Sequence, residues 1–316
     1  SGRFRVLRYD GAGAMLAEQE TPMYRPLSVA LSDVDADGQK DALVPTEQGL
    51  YWLRYEGHGT FGEPQLIQPM YGGQQPVAGD VTGDGVPEVF IHQGGVRNDV
   101  LNMFSRVPSG WEATRWDVGA DAGGFALGDV TGDGLPDVVF VVGLELKVYE
   151  AVAGLAPQLH ATVALPQSFV RVQLIDLTGD GTLDILAGDW GGYAVFGGGP
   201  GLALPELATG PRPTLYSPNP KNTGLATNLD QDSFGDFIEM QEGGIVSLWH
   251  GLGDGKFEQR ERNLVPGSVE AIGVVDFTDD GISDLLLSGG SEYNGSLLLL
   301  KGTAHCGDSE RPVGAR

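Results

Sequence analysis

The chain has 316 residues, 41% of them apolar, so it is long and apolar enough to bury a sizeable core and is not a disordered polymer. Its 50 glycines keep no three-residue period, which excludes collagen. A formal net charge of −24 argues against nucleic-acid binding and against docking on anionic lipid, both of which depend on Lys and Arg.

Reading from the N-terminus, Ser-Gly-Arg-Phe-Arg lacks the layout of a signal peptide, so targeting is expected to have been removed or the chain to be a module of a larger protein or assembly. Residues 2–19 match the third and fourth strands of the unit that follows: Gly2-Arg-Phe-Arg-Val-Leu-Arg-Tyr aligns with Gly49-Leu-Tyr-Trp-Leu-Arg-Tyr. From Asp33 one phrase recurs six times. It reads DVDADGQKDALV at Asp33, DVTGDGVPEVFI at Asp80, DVTGDGLPDVVF at Asp129, DLTGDGTLDILA at Asp176, NLDQDSFGDFIE at Asn228 and DFTDDGISDLLL at Asp276. The offsets are 47, 49, 47, 52 and 48 residues.

Each unit has the same layout. An apolar run (27–31, 172–175) precedes the acidic loop, and a second apolar run (138–141) follows it. A third strand, typified by 50–55, ends in a glycine turn such as GHGTF at 57–61 or GDGKF at 253–257, and a weaker fourth strand closes the unit. Four short strands in about 48 residues make one propeller blade. Six units plus the N-terminal half-unit predict an all-β propeller of six or seven blades, with seven favoured, spanning 1–302. The N- and C-terminal strands are expected to close the ring, and residues 303–316 to form a polar tail or linker.

The loops carry the chemistry. Loop one places Asp33, Asp35, Asp37 and Asp41 at positions 1, 3, 5 and 9, with Gly38 at position 6 and the Gln39 carbonyl at position 7. Alternating acids on a tight turn aim several hard oxygens at one centre, which suits Ca²⁺ better than Mg²⁺. Loop two offers Asp80, Thr82, Asp84, Val86 and Glu88, and loop three Asp129, Thr131, Asp133, Leu135 and Asp137. Loop four offers Asp176, Thr178, Asp180, Thr182 and Asp184, and loop six Asp276, Thr278, Asp280, Ile282 and Asp284. Loop five is irregular: Asn228, Asp230, Asp232, Phe234 and Asp236, with Ser233 where the other loops have glycine. An EF-hand is disfavoured, because position 12 of loop one is Val44 rather than Glu and the flanks are strand-like. The competing explanation is that these are only solvated turns. Converging carboxylates without a cation repel one another, so five or six bound Ca²⁺ are expected, and six would bring the charge from −24 to −12.

These loops resemble those of the FG-GAP/VCBS repeat family, which includes the propeller of integrin α-subunits. The resemblance implies propellers of six to eight blades with structural calcium in the hairpin joining strands one and two. It also implies an extracellular, cell-surface or periplasmic setting in adhesion proteins, lectins and modules of larger proteins. Fold does not fix function. The expected function is a non-enzymatic module binding a protein or glycan, with a polysaccharide-active enzyme or accessory domain, or a purely architectural domain, as alternatives.

No other motif points to catalysis. Neither a G-x-S-x-G elbow nor a G-x-x-x-x-G-K-[ST] loop occurs, and His58, His92, His160, His250 and His305 show no ligand spacing, which leaves His58 and His250 as surface residues beside turns. Trp52 and Trp249 lie in third-strand patterns and are expected to pack. Trp111 and Trp116 lie in the polar stretch SGWEATRWD and are expected to be exposed, where they would stack on sugars. The 206–224 segment, with Pro211, Pro213, Pro218 and Pro220, is a binding loop or a tolerated insertion, and Cys306 is a free tail thiol.

Overall fold

The computed structural model describes residues 2–9, 15–93, 99–119, 122–189, 191–211, 213, 224–229, 232–241, 244–265, 269–275, 284–291 and 294–300. Among them there is no helix, and every regular element is a strand. Short apolar runs punctuated by Gly, Pro and acidic turns leave no stretch in which a helix could nucleate.

The strands form one main antiparallel sheet per sequence repeat, consecutive strands pairing, except that in the first repeat a short hairpin of Tyr55–Gly57 and Thr60–Phe61 intervenes between the third and fourth strands. Sheet 1 comprises Ala30–Ser32, Asp41–Pro45, Gly49–Leu53 and Gln65–Pro69. Sheet 2 is Gln74–Gly79, Glu88–Gln93, Asp99–Val107 and Gly110–Gly119. Sheet 3 is Ala122–Gly128, Asp137–Val142, Glu145–Val152 and Leu155–Ala164. Sheet 4 is Arg171–Ile175, Asp184–Asp189, Gly192–Phe196 and Glu206–Gly210. Sheet 5 is Gly224–Thr227, Asp236–Gln241, Ile245–Gly251 and Phe257–Leu264. Sheet 6 has three described strands, Val269–Val275, Asp284–Ser291 and Asn294–Leu300. The N-terminal Gly2–Tyr9 and Met15–Met23 form a hairpin of their own, as the match to a third and fourth strand predicts.

The second strand of each sheet is apolar on both faces because it is covered on both sides. Asp137–Val141 is buried throughout, as is Asp184–Asp189. The core is therefore a series of layers between successive sheets. Leu43, Leu50 and Trp52 of sheet 1 meet Ile91 and Phe104 of sheet 2. Phe90 and Leu101 meet Val138 and Phe140 of sheet 3, and Val139 and Leu146 meet Ile185 and Phe196 of sheet 4. Leu186 and Val195 meet Phe237 of sheet 5, and Ile238 and Val246 meet Leu285 and Leu287 of sheet 6. The N-terminal hairpin joins this series before sheet 1, with Met23 and Phe4 against Ala42, Val44 and Leu53.

First strands of neighbouring sheets are joined directly. Ser32 Oγ donates to the Ala78 carbonyl at 3.1 Å and accepts from Ala78 N at 2.8 Å. Gln173 does the same between sheets 4 and 5, donating to Gly224 O at 2.9 Å and accepting from Ala226 N at 2.7 Å. Between sheets 3 and 4, Gly124 N donates to Val170 O at 2.8 Å. A Cβ on Gly124 would stand 3.2 Å from Arg171 Cα and 3.3 Å from Val170 O, so glycine is what lets these two backbones approach.

Trp111 and Trp116 are not the exposed aromatics that their polar surroundings suggest. Both are half-buried. Trp111 meets Trp52 edge-on at 6.3 Å, and Trp116 stacks on Tyr149 at 5.5 Å. They lie five residues apart on one strand, so they face opposite sides, and each fills a different inter-sheet layer. Trp52 packs as expected. Trp190, residues 214–223 of the proline-rich segment, His305, Cys306 and the tail lie outside the described residues.

Replacing Gly124 by valine should force sheets 3 and 4 apart at the first strand and cost about 1–3 kcal/mol. Denaturant melts of the two proteins measure this, with Gly273→Val, on a first strand where an added Cβ meets nothing within 4 Å, as the control.

Candidate metal centre

Each acidic loop joins the first and second strands of its sheet, so these hairpins all lie at equivalent places in the repeat. In the four regular loops position 6 is a left-handed glycine: Gly38 at φ 83°, Gly85 at 85°, Gly134 at 92° and Gly181 at 87°. The acid at position 1 gathers the amides of the turn. Asp33 Oδ2 accepts from Gly38 N at 2.9 Å, Asp80 Oδ2 from Gly85 N at 2.8 Å, Asp129 Oδ2 from Gly134 N at 2.7 Å and Asp176 Oδ2 from Gly181 N at 2.8 Å. The acid at position 5 accepts from the amide of position 7, as Asp37 does from Gln39 at 2.9 Å, Asp84 from Val86, Asp133 from Leu135 and Asp180 from Thr182, each of these three at 2.8 Å. These local bonds turn the loop back on itself.

Loop one is the most converged. Asp33, Asp35 and Asp37 each bring a carboxylate oxygen within 4.8 Å of the others, and among the described residues no other group of three acidic, His or Cys side chains does so. Arg54 reaches in from the third strand, with Nε 2.5 Å from Asp35 Oδ2 and a hydrogen bond of 3.1 Å to Asp37 Oδ2. Asp35 raises the Arg54 guanidinium above its ordinary value. The other Asp35 oxygen, Oδ1, is buried and has no hydrogen-bond partner. A buried, orphaned carboxylate oxygen costs free energy until a cation or donor meets it, so the donor set fits a hard cation such as Ca²⁺. In loops three and four the position-3 hydroxyls turn inward: Thr131 Oγ1 lies 3.3 Å from Asp129 Oδ1 and Thr178 Oγ1 lies 3.5 Å from Asp176 Oδ1. In loop two, Thr82 Oγ1 is 3.5 Å from Glu88 Oε1 instead.

Position 9 does more than its spacing suggests. Asp41, Asp137, Asp184 and Asp284 are fully buried, and Glu88 and Asp236 nearly so. One oxygen accepts from the amide of position 2: Val34 N to Asp41 at 3.2 Å, Val81 N to Glu88 at 3.2 Å, Val130 N to Asp137 at 3.0 Å, and Leu177 N to Asp184 and Leu229 N to Asp236 at 2.8 Å. The other oxygen accepts from the far end of the third strand, from Tyr55 N at 2.7 Å, Ala151 N at 3.0 Å, Gly198 N at 3.1 Å and Gly251 N at 3.0 Å. Asp41 also takes Trp52 Nε1 at 2.9 Å. This carboxylate bolts the base of the loop to its own sheet. A buried acid recurring eight residues after the first was the available signal for it.

Burial pushes the Asp41, Asp137 and Asp184 carboxyls up. In loop two burial, reinforced by the negative charges of Asp84 and Asp80, pushes Glu88 up to about 7.

Loop five departs from the pattern. Ser233 does not take the left-handed backbone of the glycines it replaces. Asn228 Nδ2 donates to the Asp232 carbonyl at 2.5 Å, and Asp232 Oδ1 still accepts from Phe234 N at 2.7 Å. His250 stands over this loop, with Nδ1 3.2 Å from Asp236 Oδ1 and Nε2 3.7 Å from Asp232 Oδ2. It is thus part of the loop and not a bystander at a turn. Asp230 lies outside the described residues, as do Asp276, Thr278, Asp280 and Ile282 of loop six.

Comparison with known proteins follows this geometry. The family model for the FG-GAP-like repeat matches residues 33–91, which span the first and second loops. No curated protein matches the chain. Among solved structures, an Agrocybe aegerita lectin that recognises non-reducing terminal N-acetylglucosamine aligns over 89% of this chain and 81% of its own, with a TM-score of 0.59 and 18% identity. The V. cholerae biofilm matrix protein Bap1 aligns over 96% of this chain and 75% of its own, with a TM-score of 0.54 and 10% identity. The Dos1 propeller aligns over 94% and 72%, with a TM-score of 0.55 and 11% identity. At these identities the likeness is one of fold, and it is to a propeller.

Two measurements separate the bolt from the ligands. Asp41→Ala strands three donors and should cost about 3 kcal/mol in chelator as well as in calcium, whereas Asp37→Ala, which loses its Gln39 and Arg54 bonds in either case, should cost clearly more in calcium than in chelator. In chelator, the folded chain holds the Glu88 proton up to about pH 7, while the unfolded chain releases it near the ordinary glutamate value, about 4.3. Stability should therefore fall as the pH rises through that window, and Glu88→Gln should flatten the slope in thermal melts. Residues 33–91 thus match an FG-GAP-like repeat, and the loop phrase within that match recurs along the chain.

Proposed function

We propose that the chain is a calcium-stabilised, non-enzymatic binding module of an extracellular or cell-surface protein, taking a protein or glycan on its propeller scaffold. The observation that carries the metal half is loop one, where three carboxylates converge around a buried oxygen with no partner. The binding half rests on the fold shared with a lectin and with a biofilm matrix protein. In this reading the ring has seven blades, the N-terminal hairpin supplying two strands of the seventh, and it closes against sheet 6. An extracellular setting supplies calcium in the range that such open loops bind, about 10⁻⁴–10⁻³ M.

Native mass spectrometry in calcium should show five or six ions per chain, and zero or one would end the metal reading. Loop five should empty first on titration with chelator, because it has Asn228 at position 1 and Ser233 in place of glycine. At tenfold excess over the dissociation constant each site adds about 1.4 kcal/mol, and six add on the order of 8 kcal/mol. Chelation should therefore lower the melting temperature markedly, and superimposable melts would refute the staple. For the binding half, a glycan array and a partner pull-down in calcium should give a saturable ligand, with no turnover of common polysaccharides. Depolymerisation abolished by changing an acid outside the loops would make the chain an enzyme.

A further inference from the structure

Sheet 5 breaks the core pattern of the repeat. Three residues after the position-9 acid, the second strand carries Val44, Ile91, Phe140, Ala187 and Leu287 in sheets 1, 2, 3, 4 and 6, and Glu239 in sheet 5. Glu239 is fully buried, and so is Ser247, which faces it across the third strand. A buried carboxylate at an apolar position is costly unless it is held by donors. Two hold it on one oxygen: Trp249 Nε1 and Gln241 Nε2 both donate to Glu239 Oε2 at 3.0 Å. Beside it Gln259 Nε2 donates to Ser247 Oγ at 3.2 Å. Gln241, Trp249, Gln259 and Arg262 line a cavity of about 240 Å³.

The network fixes the groups that face the cavity. Glu239 anchors the indole by its N–H and turns the Gln241 amide, while Ser247 anchors Gln259, so the wall presents two oriented amides with the exposed Arg262 beside them. Such a wall has both donors and acceptors, which suits a ligand that is itself a donor and acceptor at every corner. An anion is disfavoured by the buried Glu239 and the strongly negative chain, and a cation by Arg262. We propose that this cavity is a subsite for one neutral sugar residue, whose hydroxyls bond Gln241, Gln259 and Arg262, with Trp249 acting through Glu239 to hold the Gln241 amide. The proposal rests on the binding-module reading and deepens it by naming a site and a ligand class.

Saturation-transfer NMR on the full chain in calcium, with the methyl glycosides of glucose, galactose, mannose and N-acetylglucosamine, tests it. At least one glycoside should bind saturably, and Arg262→Ala and Gln259→Ala, both at exposed positions, should each weaken it about tenfold. Trp249→Phe, which keeps an aromatic ring but removes the N–H bonded to Glu239, should weaken it also, with the melting temperature reporting that the fold survives. No saturable transfer from any glycoside overturns the subsite, as does binding that all three variants leave unchanged, or acetate displacing nothing while itself binding at Arg262. A glycan or partner captured equally by wild type and by Gln259→Ala/Arg262→Ala overturns the subsite while leaving the module reading intact. Absence of any captured ligand counts against both.

Discussion

The constraint on which this fold turns is the buried carboxylate at position 9 of each loop. It sits at the start of the second strand, the most enclosed element of its sheet, where an unpaired charge would cost several kcal/mol. It is tolerated because the polypeptide brings backbone amides to it from two directions, the loop on one side and the third strand on the other. The same bonds therefore fix where the loop starts, where the third strand ends and how the sheet is registered. A repeat that keeps this acid keeps its hairpin geometry even where the rest of the loop varies, as in loop five, where Asp236 still bonds Leu229 and Gly251.

The acids of one loop thus have different tasks in the fold. Positions 1 and 5 satisfy turn amides and position 9 satisfies the strand amides, and on the proposed calcium reading the converged oxygens of positions 1, 3 and 5 in loop one are those that face a cation. In loop one the two sets are joined to the neighbouring sheet as well. Trp52 donates to Asp41, and its ring lies under the Arg106 guanidinium at 4.5 Å, with Trp111 at 5.3 Å from the same charge. A change at the loop base is thereby felt in the layer between sheets 1 and 2, the kind of contiguous packing through which coupling travels.

Much of the architecture was legible in the sequence because it repeats. Six recurrences of one phrase set the period, the apolar runs on either side of it set the strands, and the match of residues 2–19 to a third and fourth strand anticipated the N-terminal hairpin. The glycine at position 6 was legible too, and its left-handed backbone in four loops shows why. What spacing could not show was direction. Trp111 and Trp116 look solvent-facing in a polar stretch, yet a strand sends residues five apart to opposite faces, and here both faces are inter-sheet layers. Nor could spacing show that the last acid of each loop bonds its own sheet, since that depends on amides supplied from the third strand, about 14 residues away in the chain. Glu239 was invisible for a third reason: one acid among 43 carries no signal until the repeat is folded and its equivalents prove apolar.

The third-strand residue opposite position 9 ties these threads together. Pairing register places Arg54 there in sheet 1, Ser105 in sheet 2, Glu150 in sheet 3, Gly197 in sheet 4 and His250 in sheet 5. Where it is Arg54, a permanent cation lies against the loop whose Asp33, Asp35 and Asp37 converge. Where it is His250, the ring lies against two carboxylates of the loop that has lost its first acid and its glycine. Where it is glycine, the backbone amide alone meets the bolt, through Gly198 N. One position, set by strand register and not by the loop itself, thus puts a guanidinium against the first loop and an imidazole against the fifth. Loops with the same acidic spelling are therefore not the same electrostatic site: the spelling fixes which oxygens converge, and the facing strand fixes what a cation must displace or share to reach them.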